Sequence, residues 1–141
     1  MISKTLRVVN IQEYPHEAIE QLLPTYEPSK LIQKSKSQHM IVAVSGSQII
    51  GTASIDGARV RNVFVEPSFQ GKGIGRMLMK EIEAHALSHG QAHLFLFAAL
   101  SAIRFYEKLG FVTKGRVQHD LGEVSIEECR MEKTLNQDNQ L

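Results

Sequence analysis

The stretch from Arg59 to Gly75, Arg-Val-Arg-Asn-Val-Phe-Val-Glu-Pro-Ser-Phe-Gln-Gly-Lys-Gly-Ile-Gly, constrains this chain more than any other. It reads as a strand, a stop, a glycine-rich turn and the start of a helix. Val60, Val63, Phe64 and Val65 are β-branched or aromatic, the types that pack well on a pleated surface. Pro67 has no N–H to donate to a central ladder, so the strand ends before it. Gly71, Gly73 and Gly75 alternate with Lys72 and Ile74. Three alternate positions without a Cβ let successive backbone N–H groups converge, and the following helix adds its positive end. Such a nest favours phosphate or pyrophosphate, so a phosphorylated anion is the expected ligand. Glycine triplets also mark ordinary turns, and two better-known phosphate loops fail on spacing. A dinucleotide fold wants its third glycine one residue later and an acidic residue about twenty positions on. A nucleotide-hydrolase loop wants Gly-Lys-Ser/Thr, and here Lys72 is followed by Gly73.

The rest of the chain narrows the class. With 141 residues, a single domain over 1–135 is expected, followed by a frayed polar tail over 136–141. Sixteen basic residues against fifteen acidic ones leave no global field to draw the chain to nucleic acid or an anionic membrane. The single cysteine, Cys129, excludes an internal disulfide and suits a reducing cytoplasm, with an apolar filler in a late strand as its expected role. The N-terminus lacks the pattern of a signal peptide, and no apolar run approaches the ~20 residues that span a bilayer.

Taken in order, Thr5–Val9 reads as a first strand. Pro15 suits a first helical turn, and Ala18, Ile19, Leu22 and Leu23 form a helical stripe that Pro24 closes. Pro28-Ser29 starts a second short helix, followed by a solvated basic run from Lys34 to Lys36. Met40–Val44 and Gln48–Ile55 read as strands joined at Gly46-Ser47. Asp56-Gly57 reads as a type I′ hairpin turn into the strand of the organising stretch. From Ile74 the residues Met77, Leu78, Ile82 and Ala86 recur at helical spacing, and Gly90 ends that helix. His93–Ala98 is a buried strand, parallel to the organising strand because a helix separates them. Ser101 is the expected N-cap of a short helix carrying Ala102, Phe105, Tyr106 and Leu109, which Gly110 terminates. Phe111–Val117 and Val124–Met131 are two closing strands joined near Gly122. The expected fold is α/β, a mixed and mostly antiparallel sheet of about seven strands with helices on both faces.

Val65-Glu-Pro-Ser-Phe-Gln-Gly-Lys-Gly-Ile-Gly75 and, thirty-odd residues on, Phe105-Tyr-Glu-Lys-Leu-Gly-Phe111 together resemble the GNAT-type N-acetyltransferases. That family's acetyl-CoA turn has the form Gln/Arg-Gly-x-Gly-x-Gly/Ala, and its later helix carries a Tyr and the phrase Glu-Lys-Leu-Gly-Phe. The resemblance implies acetyl-CoA as co-substrate, in a cleft where the organising strand splays from its parallel neighbour. It implies that the backbone at Val63, Phe64 and Val65 pairs with the pantetheine arm. The turn from Gly71 through Lys72, Gly73, Ile74 and Gly75 to Arg76 would then hold the pyrophosphate, with Gln70 beside it. Tyr106 stands where such enzymes carry the acid that protonates the departing thiolate; helical spacing alone would make it a core residue. The implied reaction is direct attack of a primary amine on the thioester in a ternary complex, with a small-molecule or peptide amine as acceptor.

The sequence departs from the family pattern in two places. Arg61 stands where some members carry a glutamate base, and arginine is no base at working pH. Ala99 stands where many carry an asparagine that contacts CoA, with Ser101 as a partial substitute. The empty base position keeps open a second reading, a non-catalytic acyl-CoA sensor or interaction module. His119 and Asp56 are candidate bases acting through water, but a strand-end role for His119 and a turn role for Asp56 are the preferred readings. His85 and His89 lie four apart on one helix face with His93 nearby, yet no acidic residue or cysteine joins them at a telling spacing, and no metal is expected. Arg59 and Arg61 alternate on one strand face, where a carboxylate-bearing acceptor would suit them, but solvent exposure is the preferred reading. The sequence leaves the acceptor and the oligomeric state undetermined; a homodimer is the default.

Overall fold

The computed structural model describes residues 1–2, 16–34 and 36–135. The expected first strand Thr5–Val9, Pro15 and the tail from Asn136 lie outside them. Helix α1, His16–Leu22, buries Ala18 and Ile19. Pro24 cannot continue it, and the chain tightens into a 3-10 turn over Leu23–Tyr26. Helix α2 spans Pro28–Lys34. Strands β1, His39–Ser45, β2, Gln48–Asp56, and β3, Arg59–Val65, then form an antiparallel meander. Helix α3, Ile74–Ser88, leads to β4, His93–Ala99, and a short helix α4, Ile103–Lys108, leads to β5, Val112–Leu121, and β6, Val124–Thr134.

The six described strands lie in one sheet in the order β1-β2-β3-β4-β6-β5. Only β3 and β4 are parallel, as the helix between them requires. The hairpin into β3 is displaced one residue from the sequence expectation. Asp56 pairs with Arg59, so Gly57 and Ala58 form the loop, and only Gly57 has positive φ, at 59°. One positive φ at the first loop position is the pattern of a type II′ turn, not type I′. Strands β5 and β6 run farther than Val117 and Met131, because cross-strand pairing continues to Leu121 and His93–Thr134.

Helices α3 and α4 cover one face of the sheet, with Ile55, Val60, Leu78, Ile82, Leu96 and Met131 in the core between. Cys129 is buried there as an apolar filler. Helix α1 covers part of the other face, where Ala18 and Ile19 pack with Ile126 and Phe64. Among the described residues no helix is long and apolar enough to cross a membrane.

Two irregularities shape the organising strand and its exit. The first is a bulge: Thr52 faces Phe64 and Ser54 faces Arg61, so Asn62 and Val63 share the place opposite Ala53. Asn62 has φ of 55°, a conformation that asparagine tolerates better than most residues. Buried β2 side chains pin it there. Thr52 Oγ1 donates to the Asn62 carbonyl at 2.7 Å, and Asn62 Nδ2 donates to Ser54 Oγ at 3.2 Å. The second is the stop after β3. The buried Glu66 carboxylate accepts hydrogen bonds from the Ser68 backbone N–H at 2.9 Å and from the Ser68 hydroxyl, capping a 3-10 turn over Pro67–Phe69.

Replacing Thr52 with valine keeps the shape but leaves the Asn62 carbonyl without its donor. The variant is expected to lose about 1–3 kcal/mol in urea unfolding, the cost of a buried polar group left unsatisfied. A Thr52→Val protein as stable as the parent would show that the bulge holds without this tie.

Candidate active site

Strands β3 and β4 make a single register pair, Arg59 with Phe95, beside one bond from the Phe95 N–H to the Ala58 carbonyl at 3.0 Å. Beyond that point they part, leaving a cleft of about 950 Å³. Val63, Phe64 and Val65 line one wall, and Leu96, Phe97 and Ala98 the other. With β2 on its opposite side, this half of β3 turns a row of backbone groups to the cleft instead of to a strand. At its end, Gln70 Nε2 donates to the Val65 carbonyl at 3.1 Å.

The glycine turn closes the mouth of the cleft. Gly71 and Gly73 have φ of 76° and 84°, and a Cβ at either would meet nothing within 4 Å. Their need for glycine is therefore conformational and leaves open space above the backbone. Gly73 is the N-cap of α3 and carries no capping side chain, so the first-turn N–H groups at Ile74, Gly75 and Arg76 have no side-chain acceptor at the cap. A 15-residue helix presenting bare amides and its positive end beside open space fits a pyrophosphate. Gly75 has a further reason: an added Cβ would come within 3.0 Å of the Phe105 ring, so the missing side chain lets α3 and α4 approach. Of the turn residues, Lys72 does not line the cleft; its ammonium lies 5.2 Å from the centre of the Phe69 ring.

Tyr106 and Ser101 also line the cleft. Tyr106 is buried edge-on between Phe105, at 5.0 Å, and Phe111, at 5.7 Å. The end of α4 holds this arrangement: the Phe111 N–H reaches the Tyr106 carbonyl and the Gly110 N–H the Glu107 carbonyl, each at 3.0 Å. Burial pushes the Tyr106 phenol well above its ordinary value of 10.0, and the negative charge of Glu128 adds to the shift. Its proton is therefore held at any working pH. Ser101 is not the N-cap of α4. Leu100–Ala102 form a 3-10 turn that runs straight into the helix, whose N-cap is Ala102.

The far end of the cleft is polar. Arg59 and Arg61 line it and are half-buried, contrary to the exposed reading, because β4, β6 and the Leu23–Tyr26 turn stand around them. Arg59 lies 4.9 Å over the Phe97 ring. Burial first, and Arg61 second, lower its pKa. His119 also lines the cleft; its ring packs edge-on to Phe97 at 4.8 Å, and its Nδ1 lies 2.8 Å from Glu128 Oε1. An acceptor carboxylate at that distance places the proton on Nδ1 and leaves Nε2 as the basic nitrogen. Asp56 is exposed at its hairpin and does not line the cleft.

Sequence reasoning did not single out Glu128 or Tyr26. Glu128 sits diagonally from His119, which faces Ile126 directly, and only the β5–β6 register shows this. The available signal was a carboxylate two residues after Ile126, on the same strand face as a buried side chain. Tyr26 packs edge-on to Phe64 at 5.3 Å, and nothing local in the sequence marks it. Elsewhere, the rings of His39, His85 and His89 stack at 3.7 and 4.0 Å. Stacked rings aim their lone pairs side by side, and among the described residues no three potential ligands converge on a metal position.

Comparison with known proteins bears on the whole arrangement. Serotonin N-acetyltransferase 2 of Oryza sativa subsp. japonica is 31% identical over 100 residues, covering 70% of this chain and 50% of that protein. An uncharacterized N-acetyltransferase, ycf52, of Gracilaria tenuistipitata var. liui is 38% identical over 56 residues, covering 40% of this chain and 31% of that protein. The chain thus spans half or less of the length of these curated relatives. In fold it matches a GCN5-related N-acetyltransferase of Rhodopseudomonas palustris with a TM-score of 0.87 at 22% identity, over 95% of this chain and 85% of that one. It matches the PaiA N-acetyltransferase of Thermoplasma acidophilum, solved with coenzyme A, with a TM-score of 0.75 at 22% identity, over 95% and 88%. A family model described as "Acetyltransferase (GNAT) domain" spans residues 10–135, and on that match the chain belongs to the GNAT family of acetyltransferases.

Proposed function

We propose that the protein transfers an acetyl group from acetyl-CoA to a primary amine by direct attack within the cleft. The observation that carries this reading is the cleft itself, with an anion-binding turn at its mouth and ionisable groups along its walls. The rice relative, named for serotonin, accepts an amine, and the PaiA structure holds coenzyme A.

Bound acetyl-CoA supplies the activated acetyl carbon. The bare amides from Gly71 to Arg76 hold the pyrophosphate, and the side of β3 from Val63 to Val65 that faces the cleft receives the pantetheine arm as though it were the missing strand. Gln70 stands beside the pyrophosphate, and Ser101 supplies a further contact to the coenzyme. A backbone N–H of the splayed half of β3 near Val65 stabilises the charge that develops on the carbonyl oxygen. His119 takes the proton from the attacking nitrogen, directly or through one water, while Glu128 fixes its tautomer and offsets the new positive charge. As the carbon–nitrogen bond forms, the carbon–sulfur bond breaks and the sulfur takes the phenolic proton of Tyr106. The proton on His119 returns to Tyr106 through solvent, so one amine and one thioester give one amide and one thiol. The His119–Glu128 pair occupies the role that Arg61 leaves empty, and it weakens the sensor reading that the empty position favoured. Release of free thiol with a panel of amines tests the choice: tight acetyl-CoA binding without turnover on any amine would favour the sensor.

Gly73→Ala is expected to bind acetyl-CoA at least tenfold more weakly in calorimetry. The left-handed conformation costs any L side chain about 1–2 kcal/mol, so the turn would shift and its amides diverge. Unchanged affinity in a folded Gly73→Ala protein would remove the turn from coenzyme binding.

Tyr106→Phe keeps the ring but removes the transferable proton, so single-turnover acetyl transfer should fall about a hundredfold or more with acetyl-CoA affinity little changed. The raised phenol also contributes stability that is present below pH ~10 and lost as pH rises, because only the unfolded chain then releases the proton. Unfolding free energy should therefore fall above pH ~10 less steeply in the Phe variant, by up to about 1.4 kcal/mol per pH unit. Parent-like single-turnover rates would make Tyr106 a core residue.

His119→Asn is expected to lower kcat/KM on amines by about a hundredfold, with a smaller loss at alkaline pH where the free amine needs no base. A variant as active as the parent at neutral pH would show that solvent takes the proton unaided.

A further inference from the structure

Arginines at 59 and 61 break a general rule of protein interiors. Two guanidinium groups share the half-buried far end of the cleft, and among the described residues neither forms an ion pair with a carboxylate. The Arg59 Nε is buried with no hydrogen-bond partner. Among the described residues the only carboxylate lining the cleft, Glu128, is taken up at 2.8 Å by His119. Like charges side by side and a buried donor left unpaired each cost stability; burial first and Arg61 second depress the basicity of Arg59, and Glu128 and Asp56 offset this only in part. By contrast Arg116 pairs with Glu127 at 3.4 Å and Arg130 with Glu132 at 3.2 Å, on the neighbouring strands. Two guanidiniums in a cleft without an ion-paired carboxylate, one with a buried donor unfilled, mark a place where an anionic ligand can supply the partner.

Position decides which ligand this is. The glycine turn begins after the end of β3, whereas Arg61 precedes Val65 by four residues, about 13 Å of extended chain. The arginines therefore lie at the start of β3, at and just after the register pair from which β3 and β4 part, on the side of His119 and Glu128 and away from the pyrophosphate nest. Resting on the acetyl-transfer reading, we infer that the acceptor is a small amine carrying its own oxyanion, a carboxylate or a phosphate, held by the Arg59 and Arg61 guanidiniums while its amine faces His119. The planar fork of a guanidinium meets two oxygens of such a group at once, which a lysine at either position would not do. The Arg59 guanidinium lies 4.9 Å from the centre of the Phe97 ring, a contact that restrains one fork.

The test compares acceptors that differ only in the anion: 5-aminopentanoate against pentylamine, and O-phosphoethanolamine against ethanolamine. The parent protein should favour the anionic member of at least one pair by about tenfold to a hundredfold in kcat/KM, the range of a hydrogen bond to a charged group. Which pair shows the preference tells carboxylate from phosphate, and added salt should reduce it. Arg61→Met should collapse the preference, with the loss carried mainly by KM, and Arg61→Lys should restore part of it. Transfer to neutral and anionic amines alike would overturn the inference and leave amine acetylation standing. Loss of acetyl-CoA affinity in Arg61→Met with the preference intact would also overturn it, by assigning the arginines to the coenzyme. Absence of thiol release with any amine would instead count against acetylation itself. Calorimetry then decides the anion site: N-acetyl-5-aminopentanoate should bind the CoA-loaded protein and N-pentylacetamide should not, and equal binding, or none, overturns it.

Discussion

One register pair between two parallel strands governs this molecule. Strands β3 and β4 meet at Arg59 and Phe95 and nowhere beyond, although every other neighbouring pair in the sheet continues along its length. A sheet that splits at its centre exposes backbone groups that would ordinarily be satisfied by a strand. Here the exposed row lies on a wall of the cleft, between two helical layers, where an extended ligand can complete it. The bulge at Asn62 gives β3 its bend at the point of separation, and the Thr52 and Ser54 side chains hold the bulge from the buried side.

The two ends of the cleft differ in what they present. At the mouth stand backbone amides, from the bare first turn of α3 and the two left-handed glycines before it. At the far end stand charged side chains, with Arg59 and Arg61 on β3 sharing the lining with the His119–Glu128 pair from β5 and β6. Tyr106 lies between aromatic rings, where burial favours the neutral phenol. A buried phenol, a histidine paired with a carboxylate and two guanidiniums are thus carried by different strands and helices. Phe97 links two of them, packing against both His119 and Arg59.

Much of the fold was legible because its signals are local. Pro24, Pro67, Gly90 and Gly110 end elements where a missing N–H or a left-handed turn makes continuation costly, and α1, α3 and β4 follow their hydrophobic periodicities. Errors arose where local chemistry offered two equivalent answers. Asp56-Gly57 and Gly57-Ala58 both place a glycine in the hairpin, and only cross-strand register chooses between them. Ser101 looked like a helix cap because a serine precedes the apolar run, but a 3-10 turn already satisfies that helix start. The site was legible to the same extent. Val63–Val65, the glycine turn and Tyr106 belong to contiguous motifs, whereas Glu128, Tyr26 and the burial of Arg59 and Arg61 do not.

By itself the sequence determined the order of elements, the parallel relation of β3 and β4, and the glycine turn before α3, since each depends on residues close in the chain. Tertiary structure alone decided where β3 and β4 part, which side chains face the opening, and which charges lack partners. Strand register decides these, because one residue of slip would turn His119, Glu128 and Arg61 to the opposite face. That register comes from packing α3 and α1 on the two faces of the sheet, through contacts between residues far apart in the chain.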